Sequence, residues 1–415
     1  MSLLAPFAGA ILDRRARRGK EEPARRGERL GRAGLARPEG PLVWLHGASV
    51  GETVSLLPLV QRLIGRGVTP LVTSGTVNSA RLMAARLPPS ALHQFVPLDA
   101  PRFMAGFLDH WRPGLALVAE SELWPAMVAG LSRRGEPLVI VNGRLSERSA
   151  RRWGRLPRTS GALMARVALC LAQSEADAAR FRALGAGDVR CVGNLKFDAP
   201  APPADPAALA ALERAVAGRP VLLAASTHPG EEELVLEAHA RLRERAPGLL
   251  TIIIPRHPER GGAVAALAQA AGLRPSRRAE GALPGADCEV HVADTIGETG
   301  LFYRLASLVF VGGSLVPHGG QNPIEPGRLG CAVLHGPHVR NFAEVYAALD
   351  ACGGAVGVAA GDAFVDAAGA LLGDEGRREA TGEAARLYIE GQGGATERTM
   401  LAIEPRLAGL VAAHA

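Results

Sequence analysis

Short apolar runs alternate with segments of helical pattern from Pro41 onward. PLVWLH at 41–46 precedes a glycine-rich turn and a predicted helix from about Glu52 to Ile64. Continuous apolar runs are typical of parallel strands that are covered on both faces by helices. The signature recurs in VTPLVTS, LALVAE, PLVIVNG, ALCLAQS and VRCVGN, and later in PVLLAAS, LLTIIIPR, CEVHVAD, SLVFVGGS, CAVLHG and GAVGVA. Repeated βα units predict an α/β protein with doubly wound parallel sheets.

The proline-dense segment DAPAPPADP at 198–206 interrupts this alternation and predicts a stiff linker. We therefore expect two Rossmann-like domains, with a ligand site in the cleft between them, beyond the carboxyl ends of the strands. The predicted organisation is a basic N-terminal segment 1–37, an N-terminal domain 38–197, the linker 198–206, a C-terminal domain 207–395 and a C-terminal helix 396–415.

The amino-acid composition of the chain argues against several classes of protein. The chain has 415 residues, of which 47% are hydrophobic and 21% charged, which excludes wholesale disorder. No apolar run reaches the roughly 18 residues of a confident membrane span. The five cysteines form no C-x-x-C pair, which argues against a disulfide framework and a cysteine-built zinc site. With only 4% aromatic residues, the composition does not indicate a nucleic-acid partner.

The formal net charge of +6 is concentrated near the N-terminus. The segment 13–37 contains ten basic and four acidic residues. It follows an apolar stretch at 1–12, and an apolar edge followed by arginines is typical of a helix that lies in an anionic leaflet. The pattern thus predicts contact with the cytoplasmic leaflet of a membrane. The alternative is an arginine-rich tail without function.

Three motifs of the first half place polar residues after predicted strands. In HGASVGE, Glu52 lies at a helix start, where the helix dipole favours the ionised form that a general base needs; the alternative is a capping glutamate. In ESELWP, Glu120 and Glu122 suggest acceptor binding or charge stabilisation, unless Trp124 and Pro125 merely begin a helix. In GNLKFD, Lys196 is one of only two lysines, which suggests contact with a carboxylate or phosphate.

The motifs of the second half predict a nucleotide site. Ser226 and Thr227 precede a helix start that could hold an anion, although the acids that follow can equally be a first turn matched to the dipole. Arg256 suits a phosphate or a nucleobase edge. Glycines in 312–320 let the backbone approach a ligand, and Glu325 suits a ribose hydroxyl pair. Ile296, Gly297 and Glu298 are predicted to form a turn that opens a helix, with Asn322 as a cap and Pro323 as the start of another helix. The possible supporting positions are Ser226, Thr227, Gly312 and Gly313.

Taken together and in this order, the motifs HGASVGE, ESELWP, NGRLS, GNLKFD, PRHPER and GGSLVPHGGQNPIEP resemble those of the Kdo (3-deoxy-D-manno-octulosonic acid) transferases. The resemblance spans about 28–345. It implies a GT-B fold and inverting, metal-independent transfer from CMP-Kdo to a lipid A precursor (lipid IVA), without a cofactor. It also implies that Glu52 accepts the proton and that Glu120 and Lys196 assist the transition state. The residues implied to hold CMP are Pro255, Arg256, Ile296, Gly297, Glu298, Asn322, Pro323, Ile324 and Glu325.

Residues 1–12 are shorter than the family's usual apolar anchor. The resemblance therefore implies a peripheral or weakly anchored enzyme on the cytoplasmic face of the inner membrane. Two alternatives stay open: another GT-B enzyme that uses a UDP-sugar, and a non-catalytic module that binds a sugar nucleotide or lipid.

Overall fold

A computed structural model describes residues 7–413, which form two compact units. Unit 1 comprises the chain up to Pro200 and again from Gln392 onward, and unit 2 is Ala201–Gly391. Each unit contains one seven-stranded sheet, and every strand pairing in both sheets is parallel. The prediction of two Rossmann-like domains with parallel sheets is confirmed.

In unit 1 the strands lie in the order β3-β2-β1-β4-β5-β6-β7. Their bounds are β1 (Leu42–Gly47), β2 (Thr69–Ser74), β3 (Leu92–Phe95), β4 (Leu115–Ala119), β5 (Leu138–Gly143), β6 (Leu169–Ala172) and β7 (Val189–Cys191). The strand order reverses between β1 and β4, and ligands of doubly wound sheets bind at such a reversal.

Helices cover both faces of this sheet. They are α1 (Ala8–Ala16), α2 (Arg26–Arg29), α3 (Val50–Ser55), α4 (Leu57–Ile64), α5 (Val77–Arg86), α6 (Pro101–Trp111), α7 (Pro125–Arg134), α8 (Glu147–Gly154), α9 (Pro157–Met164) and α10 (Glu175–Ala183). The single helix predicted from Glu52 to Ile64 is wrong, because the chain forms α3 and α4 instead. Pro58 cannot donate a helical hydrogen bond and would clash with the preceding turn, so the second helix starts afresh beside it.

In unit 2 the strand order is β10-β11-β9-β8-β12-β13-β14, which reverses between β8 and β12. The strands are β8 (Val221–Thr227), β9 (Leu250–Pro255), β10 (Pro275–Arg277), β11 (Val290–Val292), β12 (Leu308–Val311), β13 (Ala332–His335) and β14 (Ala355–Gly357). The helices are α11 (Pro206–Val216), α12 (Glu231–Arg245), α13 (Gly261–Ala270), α14 (Thr299–Leu305), α15 (Ile324–Arg328), α16 (Ala343–Ala351), α17 (Asp362–Gly373) and α18 (Glu375–Gly391).

The apolar pattern of the sequence does not predict two edge strands, β3 and β10. Their sequences, LHQF and PSR, are too short and too polar to stand out as strands. Neighbouring strands supply the backbone partners that hold them in the sheet. Tertiary pairing thus decides these two elements, as is common for strands of weak propensity.

The described part of the basic N-terminal segment belongs to unit 1 and packs against the sheet side of that unit through buried side chains. Its buried Glu28 accepts a hydrogen bond from the Phe95 backbone N–H at 2.6 Å and pairs with Arg25 at 2.9 Å. Arg29 donates to the carbonyl of Val96. Part of the positive charge is therefore used inside the protein. Of the predicted apolar stretch 1–12, residues 1–6 lie outside the described residues, and the rest leads into α1.

The last helix, α19 (Ala395–Ala412), belongs to unit 1. Its Ile403 and Leu407 are fully buried in the core of that unit. The carboxylate of Asp198 accepts hydrogen bonds from the backbone N–H groups of Gly394, at 2.7 Å, and Thr396 at the start of this helix. None of the helices within residues 7–413 is long and apolar enough to cross a bilayer.

We expect Ile403→Ala to lower the free energy of unfolding of unit 1 by about 3 kcal/mol, because it leaves a cavity in a packed core. Leu401→Ala is the matched control: Leu401 lies on the same helix but is 66% exposed, so its truncation should change stability by less than about 0.5 kcal/mol. All four tryptophans lie in unit 1, so tryptophan fluorescence during urea unfolding follows this unit alone. Equal effects of the two substitutions would contradict the docking of α19.

Candidate functional site

Glu52 lies just past β1, at the point where the strand order of unit 1 reverses. Gly47 allows α3 to start close to the strand, since a Cβ there would lie 2.9 Å from the backbone nitrogen of Thr53. The Glu52 carboxylate accepts hydrogen bonds from the Ser49 hydroxyl at 2.6 Å and from the Ala48 N–H at 2.8 Å. With Ser49 as the N-cap, Glu52 therefore makes the contacts of a capping residue. A carboxylate has about four lone-pair sites, so these two bonds leave room for a ligand proton.

Burial raises the pKa of Glu52 above its ordinary value of 4.5. The hydrogen bond from Ser49 opposes this shift, whereas the nearby negative charges of Glu120 and Glu122 add to it. The sequence predicts that the helix dipole favours the ionised form of Glu52, but the cost of burying the charge is larger than this effect. A raised pKa brings the carboxylate closer to the working pH, which suits a group that takes up a proton during a reaction.

Glu120 and Lys196 form an ion pair beside Glu52. Glu120 follows β4, the strand next to β1, and has a backbone φ of +55°. Such a conformation is uncommon for a residue other than glycine, and residues held in it are enriched at functional sites. The Lys196 Nζ lies 2.7 Å from the Glu120 Oε1, and both side chains are largely buried. The pair holds the ammonium group at a defined position on the carboxyl edge of the sheet.

Asn142 positions Lys196, although its motif NGRLS suggested no role for it in advance. It sits in β5 with a φ of +51°, and its Oδ1 accepts the backbone N–H of Leu195 at 2.9 Å. This bond anchors the short 3₁₀ turn Leu195–Phe197 that carries Lys196. An asparagine at the end of an apolar run can adopt the left-handed conformation, which is the signal that could have identified it.

Glu122 does not share the role of Glu120. Its carboxylate accepts the indole N–H of Trp124 at 2.9 Å, and burial raises its pKa. Helix α7 begins at Pro125 with Trp124 as its N-cap, as the alternative interpretation of this motif predicted. The two acids of ESELWP thus act separately: one binds Lys196 and the other fixes a helix start.

In unit 2 a fully buried acid, Glu231, organises the corresponding edge. Its carboxylate accepts backbone N–H groups from His228, Gly313, Ser314 and Leu315 at distances of 2.7 to 3.0 Å. These bonds tie the loop after β12 to the start of α12. The sequence suggested only a helix first turn matched to the dipole for this acid, because the four donors come mostly from a segment more than eighty residues away.

The predicted anion-binding residues lie around this loop. Gly312 is required for close approach of β12 to the end of β8, since a Cβ there would lie 2.7 Å from the carbonyl oxygen of Ser226. Ser226 itself has a φ of +59°. The hydroxyl of Thr227 donates to the buried Glu232, and so is engaged within the protein. The Arg256 backbone N–H donates to the carbonyl of Thr227 at 2.9 Å. Its side chain is exposed and forms no hydrogen bond or ion pair within residues 7–413, which leaves the guanidinium available.

The remaining predicted nucleotide residues follow β11 and β12. Arg278 forms two hydrogen bonds to the Glu298 carboxylate, at 2.7 and 3.0 Å, and lowers its pKa. This acid is therefore already paired, whereas the side chain of Ile296 is exposed. The N-cap of α15 is Pro323 and not Asn322 as predicted, although the Asn322 Oδ1 accepts the N–H of Ile324 at 3.1 Å. The other members of this set are Pro255 at the end of β9, Gly297 with φ +90°, Pro323 as the N-cap of α15 and Glu325 in its first turn.

A histidine cluster borders these residues. The rings of His228 and His318 stack with centroids 4.1 Å apart, and His228 also contacts the amide of Gln321 at 3.1 Å. Burial lowers the pKa of His228 to about 4, and the neighbouring His318 adds to the shift. The ring is therefore neutral at physiological pH. Across residues 7–413 no group of three or more His, Cys, Asp or Glu side chains is arranged so that it could hold a metal ion.

Comparisons with known proteins agree with this arrangement. Residues 24–199 match the profile of 3-deoxy-D-manno-octulosonic-acid transferases. The chain is 39% identical to the 3-deoxy-D-manno-octulosonic acid transferase of Bordetella pertussis, over 97% of this chain and 96% of the relative. The corresponding enzyme of Haemophilus influenzae is 33% identical, over 98% and 96% of the two chains.

Among solved structures, UDP-GlcNAc 2-epimerase from Neisseria meningitidis, solved with UDP-GlcNAc bound, matches with a TM-score of 0.58. The identity is 14%, and the match covers 88% of this chain and 100% of that one. At this identity the likeness shows the fold alone, which is that of the GT-B proteins. The identities to the two curated relatives extend over nearly the whole chain and include both units. The chain therefore belongs to the 3-deoxy-D-manno-octulosonic acid (Kdo) transferase family of glycosyltransferases.

Proposed function

We propose that this enzyme transfers Kdo from CMP-Kdo to a lipid A precursor, lipid IVA, with inversion at the anomeric carbon and without a metal ion. The step belongs to the assembly of the lipopolysaccharide core. The observation that carries the proposal is the site in unit 1, where Glu52, with its raised pKa, lies beside the Glu120–Lys196 pair at the strand-order reversal.

In this mechanism Glu52 removes the proton from the acceptor hydroxyl as the new glycosidic bond forms. Its carboxylate is largely buried, and the bonds from Ser49 and Ala48 fix its orientation. A positioned base of this kind contributes about 10² to 10⁴ in rate. The bond from the sugar to the CMP phosphate breaks at the same time, so the positive charge that develops on the sugar is matched by negative charge on the departing phosphate.

The Glu120–Lys196 pair supplies fixed charge for this transition state. Its ammonium would contact a carboxylate or a phosphate oxygen, because Lys is a compact cation with three donors. A preorganised charge in a partly buried site requires little reorganisation when the reaction occurs, which is the main source of electrostatic catalysis.

Unit 2 would hold the donor. The Arg256 guanidinium has no hydrogen-bond or ion-pair partner within residues 7–413 and could therefore bind the nucleotide. The backbone around Ile296, Gly297 and Glu298 and the start of α15 offer further polar groups. The side chain of Glu298 accepts two bonds from Arg278 and one from the Thr295 hydroxyl, so its contribution would come from the backbone or from the one remaining lone pair.

The proposed location is the cytoplasmic face of the inner membrane, with peripheral or weak attachment. Exposed cations of the N-terminal segment support it: Arg14, Arg17, Arg18 and Lys20. Each cation near an anionic leaflet contributes about 1 kcal/mol.

The roles of Glu52 as base and as cap predict different pH dependences of stability. Folding raises the pKa of this group, so its contribution to stability is full below about 4.5 and is lost as the pH rises through the raised value. The glutamine of the Glu52→Gln variant does not titrate, so the variant does not lose stability in this way as the pH rises. We therefore expect the variant to gain stability relative to the parent as the pH rises from 4.5 towards neutrality, measured by urea unfolding with tryptophan fluorescence. The exposed Glu39→Gln should show no such trend, and a constant destabilisation by Glu52→Gln would indicate a capping role alone.

The same Glu52→Gln variant tests catalysis. With CMP-Kdo and a tetraacylated lipid A precursor as substrates, we expect Kdo transfer, measured by product mass, to fall at least about a hundredfold. The affinity for CMP, measured by calorimetry, should change by only a few-fold, because the residues implied to hold CMP are in unit 2. Glu39→Gln should retain full activity. Undiminished transfer in Glu52→Gln would remove this residue from the mechanism.

Arg256→Gln tests the donor site. A hydrogen bond to a charged group contributes about 1.5 to 3 kcal/mol, so the variant should bind CMP at least about tenfold more weakly in calorimetry. Arg377→Gln, which changes an exposed arginine on α18, is the control and should bind as the parent does. Tighter binding of UDP than of CMP by the parent protein would overturn the proposed donor in favour of a UDP-sugar.

A further inference from the structure

His318 extends the histidine cluster to the surface of unit 2. Its ring stacks on the buried ring of His228, with the centroids 4.1 Å apart and the planes 15° from parallel. His318 is exposed, and neither of its ring nitrogens forms a hydrogen bond or an ion pair within residues 7–413. Stacking therefore holds one face of the ring, while the nitrogens at its edge stay available to a ligand. Because His228 is neutral at physiological pH, it does not repel a positive charge on His318.

The surroundings of the cluster are positive. Besides burial, which is the main cause, four neighbouring basic side chains lower the pKa of His228: Arg256, His257, Arg260 and His318. Two of them, Arg260 and His257, lie 2.6 and 3.8 Å from carboxylates. The other two, Arg256 and His318, have no acidic partner in the described part of the chain. This edge of unit 2 thus offers two unengaged basic groups.

The acids nearest the cluster do not oppose an incoming anion. Glu231 is fully buried, and four backbone N–H groups donate to its carboxylate. Glu232 is also fully buried and accepts hydrogen bonds from Arg260 and the Thr227 hydroxyl. Both negative charges are therefore compensated inside unit 2 and do not face a ligand at the surface.

Asn341 holds the loop that carries His318. Its side-chain amide donates to the carbonyls of His318 and Gly320, each at 3.2 Å, and its backbone N–H donates to the carbonyl of Gly319 at 2.8 Å. Three successive carbonyls of the loop are thus bound to one residue. The backbone N–H of Gly319 donates no hydrogen bond to any residue between 7 and 413, so a free donor lies next to the His318 ring.

The far end of the loop is fixed from the core. The hydroxyl of Tyr346, which is fully buried, donates to the carbonyl of Gln321 at 2.8 Å. The side-chain amide of Gln321 in turn contacts the Nε2 of His228 at 3.1 Å. Both rings of the cluster are therefore placed by the packed interior of unit 2, and such preorganisation is typical of a built binding site.

The donor of a Kdo transferase has an unusual charge pattern. The anomeric carbon of an ulosonic acid carries a carboxylate, so in CMP-Kdo this carboxylate lies next to the phosphate. A neutral sugar in a UDP-linked donor has no such group. The guanidinium of Arg256 suits the phosphate, because it can form two parallel hydrogen bonds to two oxygens. A second anion then needs the other unengaged group of this edge, which is His318.

We propose that His318 binds the carboxylate of the donor sugar through a ring N–H, with the Gly319 N–H as a second donor. This makes His318 a specificity-determining residue, which favours a sugar acid over a neutral sugar. A site built to hydrogen-bond a polar group discriminates against a ligand that lacks it. The inference deepens the proposed function and rests on it, because it names the part of CMP-Kdo that this loop recognises.

Calorimetry of the full chain with CMP and with CMP-Kdo, in the absence of acceptor, tests the inference. His318→Phe keeps a ring to stack on His228 but removes the nitrogen donors. We expect its affinity for CMP-Kdo to fall about tenfold to a hundredfold, the effect of losing a hydrogen bond to a charged group. Its affinity for CMP should stay within about twofold of the parent, which also shows that the site is folded. Equal losses for the two ligands would overturn the inference.

Two variants serve as controls. His318→Lys keeps a cationic donor at the same position and should bind CMP-Kdo within about threefold of the parent. His338→Phe changes another exposed histidine of unit 2, which makes no ring contact or hydrogen bond with the cluster in the described structure, and should bind as the parent does. An effect of His338→Phe as large as that of His318→Phe would contradict a specific role of His318.

The carboxamide of CMP-Kdo, which lacks the negative charge, identifies the group that is recognised. The parent should bind this amide more weakly than the acid, and His318→Phe should bind the two alike. If His318→Phe weakens the amide as much as the acid, the carboxylate is not the partner of His318. Failure of the parent to bind CMP-Kdo would overturn the proposed donor together with this inference, whereas normal binding by both proteins would overturn this inference alone.

Discussion

A parallel sheet covered on both faces has room for ionisable side chains mainly where its strands end. Both units obey this constraint, because their strands are continuous apolar runs and helices shield the two surfaces. The candidate site residues therefore lie at the carboxyl edges, and several of them lie at the strand-order reversals. In unit 1 that place holds Glu52 and Glu120, and in unit 2 it holds Ser226 and Gly312.

Glu52 and Glu231 lie at equivalent places in the two units, and the hydrogen-bond donors around each carboxylate distinguish them. Glu52 follows the first strand of unit 1, and Glu231 follows the first strand of unit 2. Four backbone N–H groups donate hydrogen bonds to the carboxylate of Glu231, and these bonds hold a loop in place. Glu52 receives one backbone N–H and one hydroxyl, so burial dominates and its pKa rises. Glu231 is thereby a structural anchor, whereas the surroundings of Glu52 suit the base that we propose it to be.

The positions of exposed positive charge in the folded protein differ from those suggested by the net charge counted along the sequence. Counting residues places the whole excess in the segment 13–37, yet Arg25, Arg29 and Arg37 of that segment form hydrogen bonds inside unit 1. Exposed cations are concentrated on α8 as much as in the segment 13–37. Net charge along a sequence cannot distinguish an arginine that binds a carbonyl inside the protein from one that faces solvent.

The sequence by itself determined the two-domain α/β class, most of the strands and the motifs that identify the family. These depend on local periodicity and on short-range turn chemistry, which a linear pattern contains. Only the tertiary structure decided the pairing of Glu120 with Lys196, the anchoring of its turn by Asn142 and the packing of α19 in unit 1. It also decided the raised pKa of Glu52. The reason is that burial and contacts between residues distant along the chain exist only after folding, and they outweigh the local helix dipole and the strand propensity.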